Sequence, residues 1–247
     1  MSQFNDSEDP RRRLLLQALA AGLLAGATPA QQVAVAGLFG DRPKPLPPGR
    51  SIYKLEGQVL VNGVQATLET QIGATDVVET GSDGSIVFVI GQDAMLMRNN
   101  SKLVLTPELG TQTVIQSVVG NMRLLAGQLL TVFAKRRHTI ETPTVVIGVR
   151  GTGVYLEANP QETYLCTCYG IVDLTATTDK TSRETIEATH HDKPRYIAAS
   201  GSKGNRIRPA PMKNHTDQEL MLIEEIVGRA PPFVFPGGEY NAPRREY

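Results

Sequence analysis

The stretch Thr139-Ile140-Glu141-Thr142-Pro143-Thr144-Val145-Val146-Ile147-Gly148-Val149-Arg150-Gly151-Thr152-Gly153 decides the fold. Val145, Val146, Ile147 and Val149 are β-branched and suit a pleated, half-buried strand. Pro143 stands at the strand entrance, where a missing backbone donor is tolerated. Gly148 interrupts the run and suggests a bulge or a close backbone approach. Gly151 and Gly153 flank Thr152 and close the segment. Arg150 then stands at the end of an apolar strand beside flexible backbone. Its structural reading is a guanidinium that bonds carbonyls at a turn and locks two strands; the alternative is an anion-binding arginine. Thr152 has no base placed near it to make it a nucleophile. Arg150, Gly151 and Thr152 are therefore read as structural.

Working outward, the chain from Ser51 is a series of short apolar runs with turn signals between them. Gln58–Val61 and Val64–Leu68 flank Asn62-Gly63, the strongest short-range hairpin signal. Strands are expected over Ile52–Glu56, Gln71–Thr80, Ser85–Ile90, Ala94–Arg98 and Lys102–Leu105. Further strands are expected over Thr113–Val119, Met122–Ala126, Gln128–Phe133 and Thr139–Val149. A spacing of about eight to twelve residues between turns describes an all-β sandwich, barrel or short solenoid. The basic run Lys135-Arg136-Arg137-His138 reads as a solvated turn between strands, or else as a contact for an anionic glycan or lipid head group.

Four phrases carry a resemblance. They are Gly57-Gln58-Val59, then Thr75-Asp76-Val77-Val78-Glu79-Thr80-Gly81-Ser82-Asp83-Gly84-Ser85, then Gly127-Gln128-Leu129, and finally Thr142-Pro143 running on to Val149-Arg150-Gly151-Thr152. In this order, over Gly57 to Gly153, the chain resembles the FecR domain family. The resemblance implies a β-solenoid-like body and an extracytoplasmic binding or sensing role. Membrane-spanning members also carry a cytoplasmic segment that holds a sigma factor. Only ten residues precede Arg11, so that segment, and the role that goes with it, are not expected here.

The chain has 247 residues, with 25 basic and 25 acidic side chains, so the overall charge points to neither nucleic acid nor an anionic membrane. Its 23 glycines and 16 prolines favour turns between many short strands over a helical bundle. Arg11-Arg12-Arg13 precedes an apolar run, Leu14 to Ala27, that is too short to span a bilayer comfortably. A basic edge followed by such a run is the pattern of an export signal, and the paired arginines resemble a twin-arginine one. Cleavage after Ala30 or Ala36 fits the small residues there; the other reading is an uncleaved N-terminal anchor. Either reading places the body outside the cytoplasm, as a periplasmic or secreted protein. The expected organisation is an export signal over 1–30, a Pro-rich linker over 31–50 and a FecR-like β domain over 51–158. A β-hairpin and helix extension follows over 159–228, and a tail over 229–247.

The extension holds both cysteines. Tyr164-Leu165-Cys166-Thr167-Cys168-Tyr169 reads as a strand, and residues two apart share a face. Their Cα atoms then lie about 6.5–7 Å apart, at the edge of disulfide geometry. A second strand, Arg183–Thr189, leads into His190-His191, and Arg195–Ala199 continues it. A hairpin centred on Asp179-Lys180 sets Cys168 opposite His191; a one-residue slip sets it opposite His190. Thiolate and imidazole together suit zinc or copper, and also haem iron. Cys166, Cys168, His190 and His191 are thus the candidate metal ligands. Adjacent histidines on a strand face opposite ways, so one of the two joins the sulfurs, with a fourth ligand from elsewhere or from water. A Cys166–Cys168 disulfide and a pair of inert thiols are the alternatives. Further on, Thr216 and Glu219 form a capping box before Leu220, Leu222, Ile223, Ile226 and Val227, which mark a helix of about three turns ended at Gly228. Phe233 and Phe235 in the tail are candidate anchors for a groove of this molecule or another.

No GxSxG elbow, HExxH, P-loop or dinucleotide fingerprint occurs in the sequence. The expected function is a non-enzymatic binding or scaffold protein in envelope signalling or assembly, its partner an envelope protein or polymer. The alternative is a periplasmic module that senses a metal or ligand through the Cys/His hairpin. No nucleic acid, and no membrane span beyond the N-terminal signal, is expected.

Overall fold

The computed structural model describes residues 45–107 and 119–233. The export signal, the linker as far as Lys44, the expected strand over Thr113–Val119 except its last residue, and Phe235 lie outside the described residues. Fourteen strands and one helix follow in order among the described residues. They are β1 (Ile52–Glu56), β2 (Val59–Val61), β3 (Val64–Gln65), β4 (Val77–Thr80), β5 (Ser85–Ile90), β6 (Asp93–Met97) and β7 (Lys102–Pro107). Then come β8 (Val119–Val132), β9 (Arg137–Glu141), β10 (Val145–Ala158), β11 (Glu162–Ala176), β12 (Arg183–Ala188), β13 (Arg195–Ala198), β14 (Ile207–Pro209) and α1 (Asp217–Ile226). Among the described residues the fold is all-β with one short helix, and the sheet is open.

β8 is the junction. Its first half lies between β7, antiparallel, and β9, parallel. Its second half lies between β6 and β10, both antiparallel. Met122–Ala126 and Gln128–Phe133, which read as two strands, are thus one strand bent at Gly127. That glycine has φ +90°, and a Cβ on it would sit 2.2 Å from Ser101 Oγ. The bend lets one sheet continue in two directions, so the inner face closes over a single apolar core. Phe88, Met95, Leu103, Met122, Leu129, Ile147, Leu156, Leu165 and Val172 are all fully buried within it. The Asn62-Gly63 turn takes the left-handed geometry its residues favour, with φ of 53° and 79°.

The stretch Thr139–Gly153 divides otherwise than its sequence suggests. Pro143 separates β9 from β10, and β10 continues well past Arg150 to Ala158. Gly148 is regular and pairs with Asp173. The irregularity lies at Arg150-Gly151-Thr152-Gly153 in mid-strand. The ladder with β11 runs to Arg150↔Ile171, resumes at Gly153↔Tyr169, and then steps to Val154↔Thr167. β10 thus carries an extra residue near Gly151, whose φ is +55°, and β11 carries a compensating one at Cys168. A bulge reverses the alternation of faces. Val145, Ile147 and Val149 face the main core before it, and Val154, Leu156 and Ala158 after it. On β11 the main-core residues change from Leu165 to Val172, Leu174 and Ala176. Tyr155, Tyr164, Cys166, Cys168 and Tyr169 are left on the opposite face, in a second apolar cluster under α1. Arg150 itself is exposed and reaches Asp173 across the strands at 3.1 Å.

In the basic run after β8, Lys135 and Arg137 are exposed, while Arg136 and His138 turn inward. Asp93 is fully buried and accepts from the Ala134 N–H at 2.9 Å and from the Arg136 guanidinium. His138 is buried against Phe133, with ring centroids 4.4 Å apart. Burial, helped by the charge of Arg136, lowers the His138 pKa to about 4.

Two predictions follow from this packing. Gly170 has φ +90°, and a Cβ on it would lie 2.6 Å from Thr152 Cβ. Gly170→Ala therefore costs at least about 2 kcal/mol, through overpacking and left-handed strain. Gly148→Ala, whose Cβ meets Asp173 at an ordinary 3.7 Å, costs under about 1 kcal/mol; urea midpoints compare the two. As for pH, His138 takes up a proton near 6.5 when unfolded but only near 4 when folded. The unfolded state binds more protons between those values, so this residue subtracts stability as pH falls from about 7 to 4 and has no effect above. The expected loss is on the order of 2–3 kcal/mol, and His138→Phe removes it from the stability–pH curve.

Candidate metal centre

β11 is paired along the same edge by two strands with a gap between them. β12 covers Gly170–Thr175 and leaves at Ala188. β13 rejoins at Arg195, opposite Leu165. The hairpin register is Gly170↔Ala188, one residue away from the pairing that sets Cys168 directly opposite His191. Even so, His191 reaches Cys168 through the gap. Its N–H donates to the Cys168 carbonyl at 3.0 Å. It does so from a left-handed backbone, φ 54°, uncommon for a non-glycine residue and therefore held by its surroundings.

The side chains converge on the α1 side of the sheet. Cys166 and Cys168 are both fully buried, and neither is in a disulfide. Cys166 Sγ lies 3.4 Å from His191 Nδ1. His191 Nε2 lies 3.0 Å from Asp217 Oδ1, in the first turn of α1. The fourth member is His215, two residues before α1 and fully buried. Its Nε2 lies 2.9 Å from His191 Nδ1, and its Nδ1 lies 2.7 Å from the Lys213 carbonyl. One donor atom from each of Cys166, Cys168, His191 and His215 lies within 4.8 Å of all the others. The residue before His215, Asn214, is also left-handed, at φ 58°, and donates to Glu157 at 2.7 Å.

These bonds fix both imidazoles. A carbonyl only accepts, so His215 Nδ1 carries the hydrogen and Nε2 presents a lone pair. The Asp217 carboxylate likewise takes the hydrogen of His191 Nε2 and leaves Nδ1 facing inward. The two inward nitrogens point at one another and at the sulfurs. Carboxylate or carbonyl partners on the outer nitrogen are what metal-bound histidines use to set tautomer and orientation. A tetrahedral ion with bonds of about 2.3 Å to sulfur and 2.0–2.1 Å to nitrogen separates its donors by about 3.3–3.8 Å; here the nitrogens are 2.9 Å apart, Cys166 Sγ is 3.4 Å from His191 Nδ1 and all donors lie within 4.8 Å, so small shifts would admit the ion.

Without an ion, protons hold the same cluster. Burial pushes Cys166 up, but hydrogen bonds with Cys168, His191 and His215 outweigh it, and its pKa falls well below the usual thiol value. Burial and the neighbouring Cys166 push Cys168 well above it. Burial lowers His191, but Asp217 and Cys166 more than reverse this and raise it to about 9. These directions favour the proton on His191 over Cys166, while Cys168 keeps its own.

Of the candidate ligands, His190 does not approach the sulfurs in this way. Its Nε2 lies 3.0 Å from Asp217 Oδ1, and its ring stacks on Phe233 at 4.0 Å. Phe233 therefore anchors on this molecule. His215 and Asp217 are the members that sequence spacing did not reveal. They sit 47 and 49 residues beyond Cys168, past a stretch that reads as loop. The one signal is that His215 directly precedes the capping residue Thr216.

No protein-family model matches the sequence, and no curated protein matches it. Among solved structures, the chain is similar to two crystal structures of a candidate anti-sigma factor from Parabacteroides distasonis ATCC 8503, at 1.65 and 2.50 Å resolution. Identity is 7%, with TM-scores of 0.41 and 0.42 over 54% of this chain. The match covers 58% of the other protein, so this chain spans a little over half the length of its structural relative.

Both thiols are sealed under α1. A chromogenic disulfide reagent is expected to find no reactive thiol in the native protein within minutes and two after denaturation in chelator. Rapid reaction of the native protein would show that the face is open.

Proposed function

We propose that this chain is an exported, non-enzymatic binding protein of the cell envelope. Its C-terminal extension is built around a zinc ion held by Cys166, Cys168, His191 and His215. The observation that carries the metal reading is the pair of inward nitrogens, His191 Nδ1 and His215 Nε2, 2.9 Å apart with their outer nitrogens engaged by Asp217 and Lys213. Two lone pairs repel at that distance unless a proton or a cation lies between them, and two sulfurs stand beside them. The donor set of two thiolates and two imidazoles is the one structural zinc sites use; copper(I) favours softer, sulfur-richer sets. Four donors converging on one point also leave no space for a haem macrocycle.

The closed character of the site supports holding over turnover. Four protein donors complete a tetrahedral shell, whereas catalytic zinc keeps one position for water or substrate. All four donor residues are buried. The FecR-like phrases, the export signal and the all-β body support a place in envelope signalling or assembly, with an envelope protein or polymer as partner. Among the described residues no helix is long and apolar enough to cross a membrane.

Metal analysis of the purified full chain tests the reading. One zinc per chain is expected, absent from Cys168→Ser. Asp217→Asn should weaken binding about 10- to 100-fold in competition with a chromophoric chelator, because it releases His191 from its outer partner. A metal-free protein with two free thiols, which takes up no added zinc, would overturn it.

A further inference from the structure

We infer that the zinc ion is a clasp that seats α1 on the sheet, with His215 as the ligand that couples the ion to the helix. This rests on the zinc reading above and assigns that site a regulatory role. Three of the four donors belong to the sheet: Cys166 and Cys168 lie on β11, and His191 lies in the gap between β12 and β13. His215 alone comes from beyond β14. It directly precedes Thr216, whose hydroxyl accepts from the Glu219 N–H and whose own N–H donates to the Glu219 carboxylate. The ion therefore ties the first residue before the cap to the middle of the sheet. Asp217, in the first turn, ties the same end of the helix to His190 and His191.

The helix needs such a tie. At ten residues it is shorter than helices that hold themselves in water. Among its apolar residues, Leu220 and Ile223 are fully buried, Ile226 is partly so, and Leu222 is 42% exposed. Two fully buried side chains are a small return for ordering ten residues of backbone. The far end is held more lightly, by Glu224 with Arg229 and the Tyr169 hydroxyl, and by Phe233 against His190. Beneath the helix lies an apolar face that includes Val87, Ala94, Leu130 and Val132. With the ion gone, hydrogen bonds to Asp217 and the Arg98–Glu219 ion pair are left to hold the N-terminal end of α1, so it opens more often and uncovers that face while the main core stays shut. A metal-controlled helix over a fixed apolar surface is a switch: zinc supply sets whether the surface is covered.

Amide hydrogen exchange on the full chain tests this. Zinc-loaded protein is compared with protein stripped by chelator and with stripped protein given zinc again. Stripping should speed exchange at Leu220–Val227 at least tenfold, zinc should restore it, and β5–β8 should not change. His215→Ala should leave those helix amides fast with or without zinc, and His215→Cys, which keeps a ligand, should restore the coupling. If the ion leaves and the helix amides stay protected, the clasp is overturned while the zinc site stands. If the sheet amides speed up equally, the ion is a general stabiliser and the clasp is again overturned. A chain that binds no zinc at all overturns the zinc reading first, and the clasp with it.

Discussion

At one level of the sheet, two neighbouring strands each carry one residue too many, and the outer face depends on it. The surplus in β10 lies at Gly151-Thr152 and that in β11 at Cys168, with Gly153↔Tyr169 between them. Either bulge alone would throw the rest of the ladder out of register. Together they restore it and swap which residues face the main core. Gly151 supplies the left-handed backbone, Gly170 makes room for Thr152, and Gly153 makes room for Tyr169 and Leu220. The Arg-Gly-Thr-Gly phrase is thus a packing device, and Arg150 is an exposed partner of Asp173 beside it. An exposed ion pair of this kind contributes little to stability; the glycines matter more.

That swap also sets the stage for the polar cluster. The bulge at Cys168 leaves its carbonyl to be met by His191, from a gap where β12 has ended and β13 has not begun. A continuous partner strand would have satisfied the edge of β11 with backbone alone. The gap instead admits a side chain, and the left-handed φ of His191 aims it. Strain at two positions, His191 and Asn214, is kept where it positions the two imidazoles.

Much of this was legible in the sequence, and the losses have physical causes. Asn62-Gly63 and the Thr216/Glu219 box are local chemistry, in which each residue type serves the geometry it is found in. The shared face of Cys166 and Cys168 is strand periodicity, and it holds because the bulge falls at the second cysteine. Gly127 looked like a turn because a left-handed glycine serves equally as a turn and as a bend within one strand. Of the run Lys135–His138, Lys135 and Arg137 are solvated as their charge suggests, but charge alone does not reveal that Arg136 meets a buried Asp93, 43 residues away. His215 was out of reach for the same reason. Its role depends on α1 folding back across the sheet, a contact that no local pattern encodes.

If the cluster holds zinc as proposed, the ion and a set of protons compete for one place. With the proton on His191 rather than Cys166, the direction the shifts favour, Cys166 is negative, His191 positive and Cys168 neutral. A dication that takes both sulfurs as thiolates displaces one proton from Cys168 and one from His191. Two positive charges leave as two arrive, so the net charge of this buried site does not change. Burying charge is costly, and an exchange that alters the buried total would meet that cost in full. An exchange that conserves it avoids that cost and is set by the bonds formed, the dehydration of the ion and the pH. Asp217 is common to both states, since it needs a hydrogen on His191 Nε2 in each. Under the zinc reading the two states differ in the strength of the hold: coordinate bonds tie His215, and with it the start of α1, to the sheet in one, and hydrogen bonds alone do so in the other.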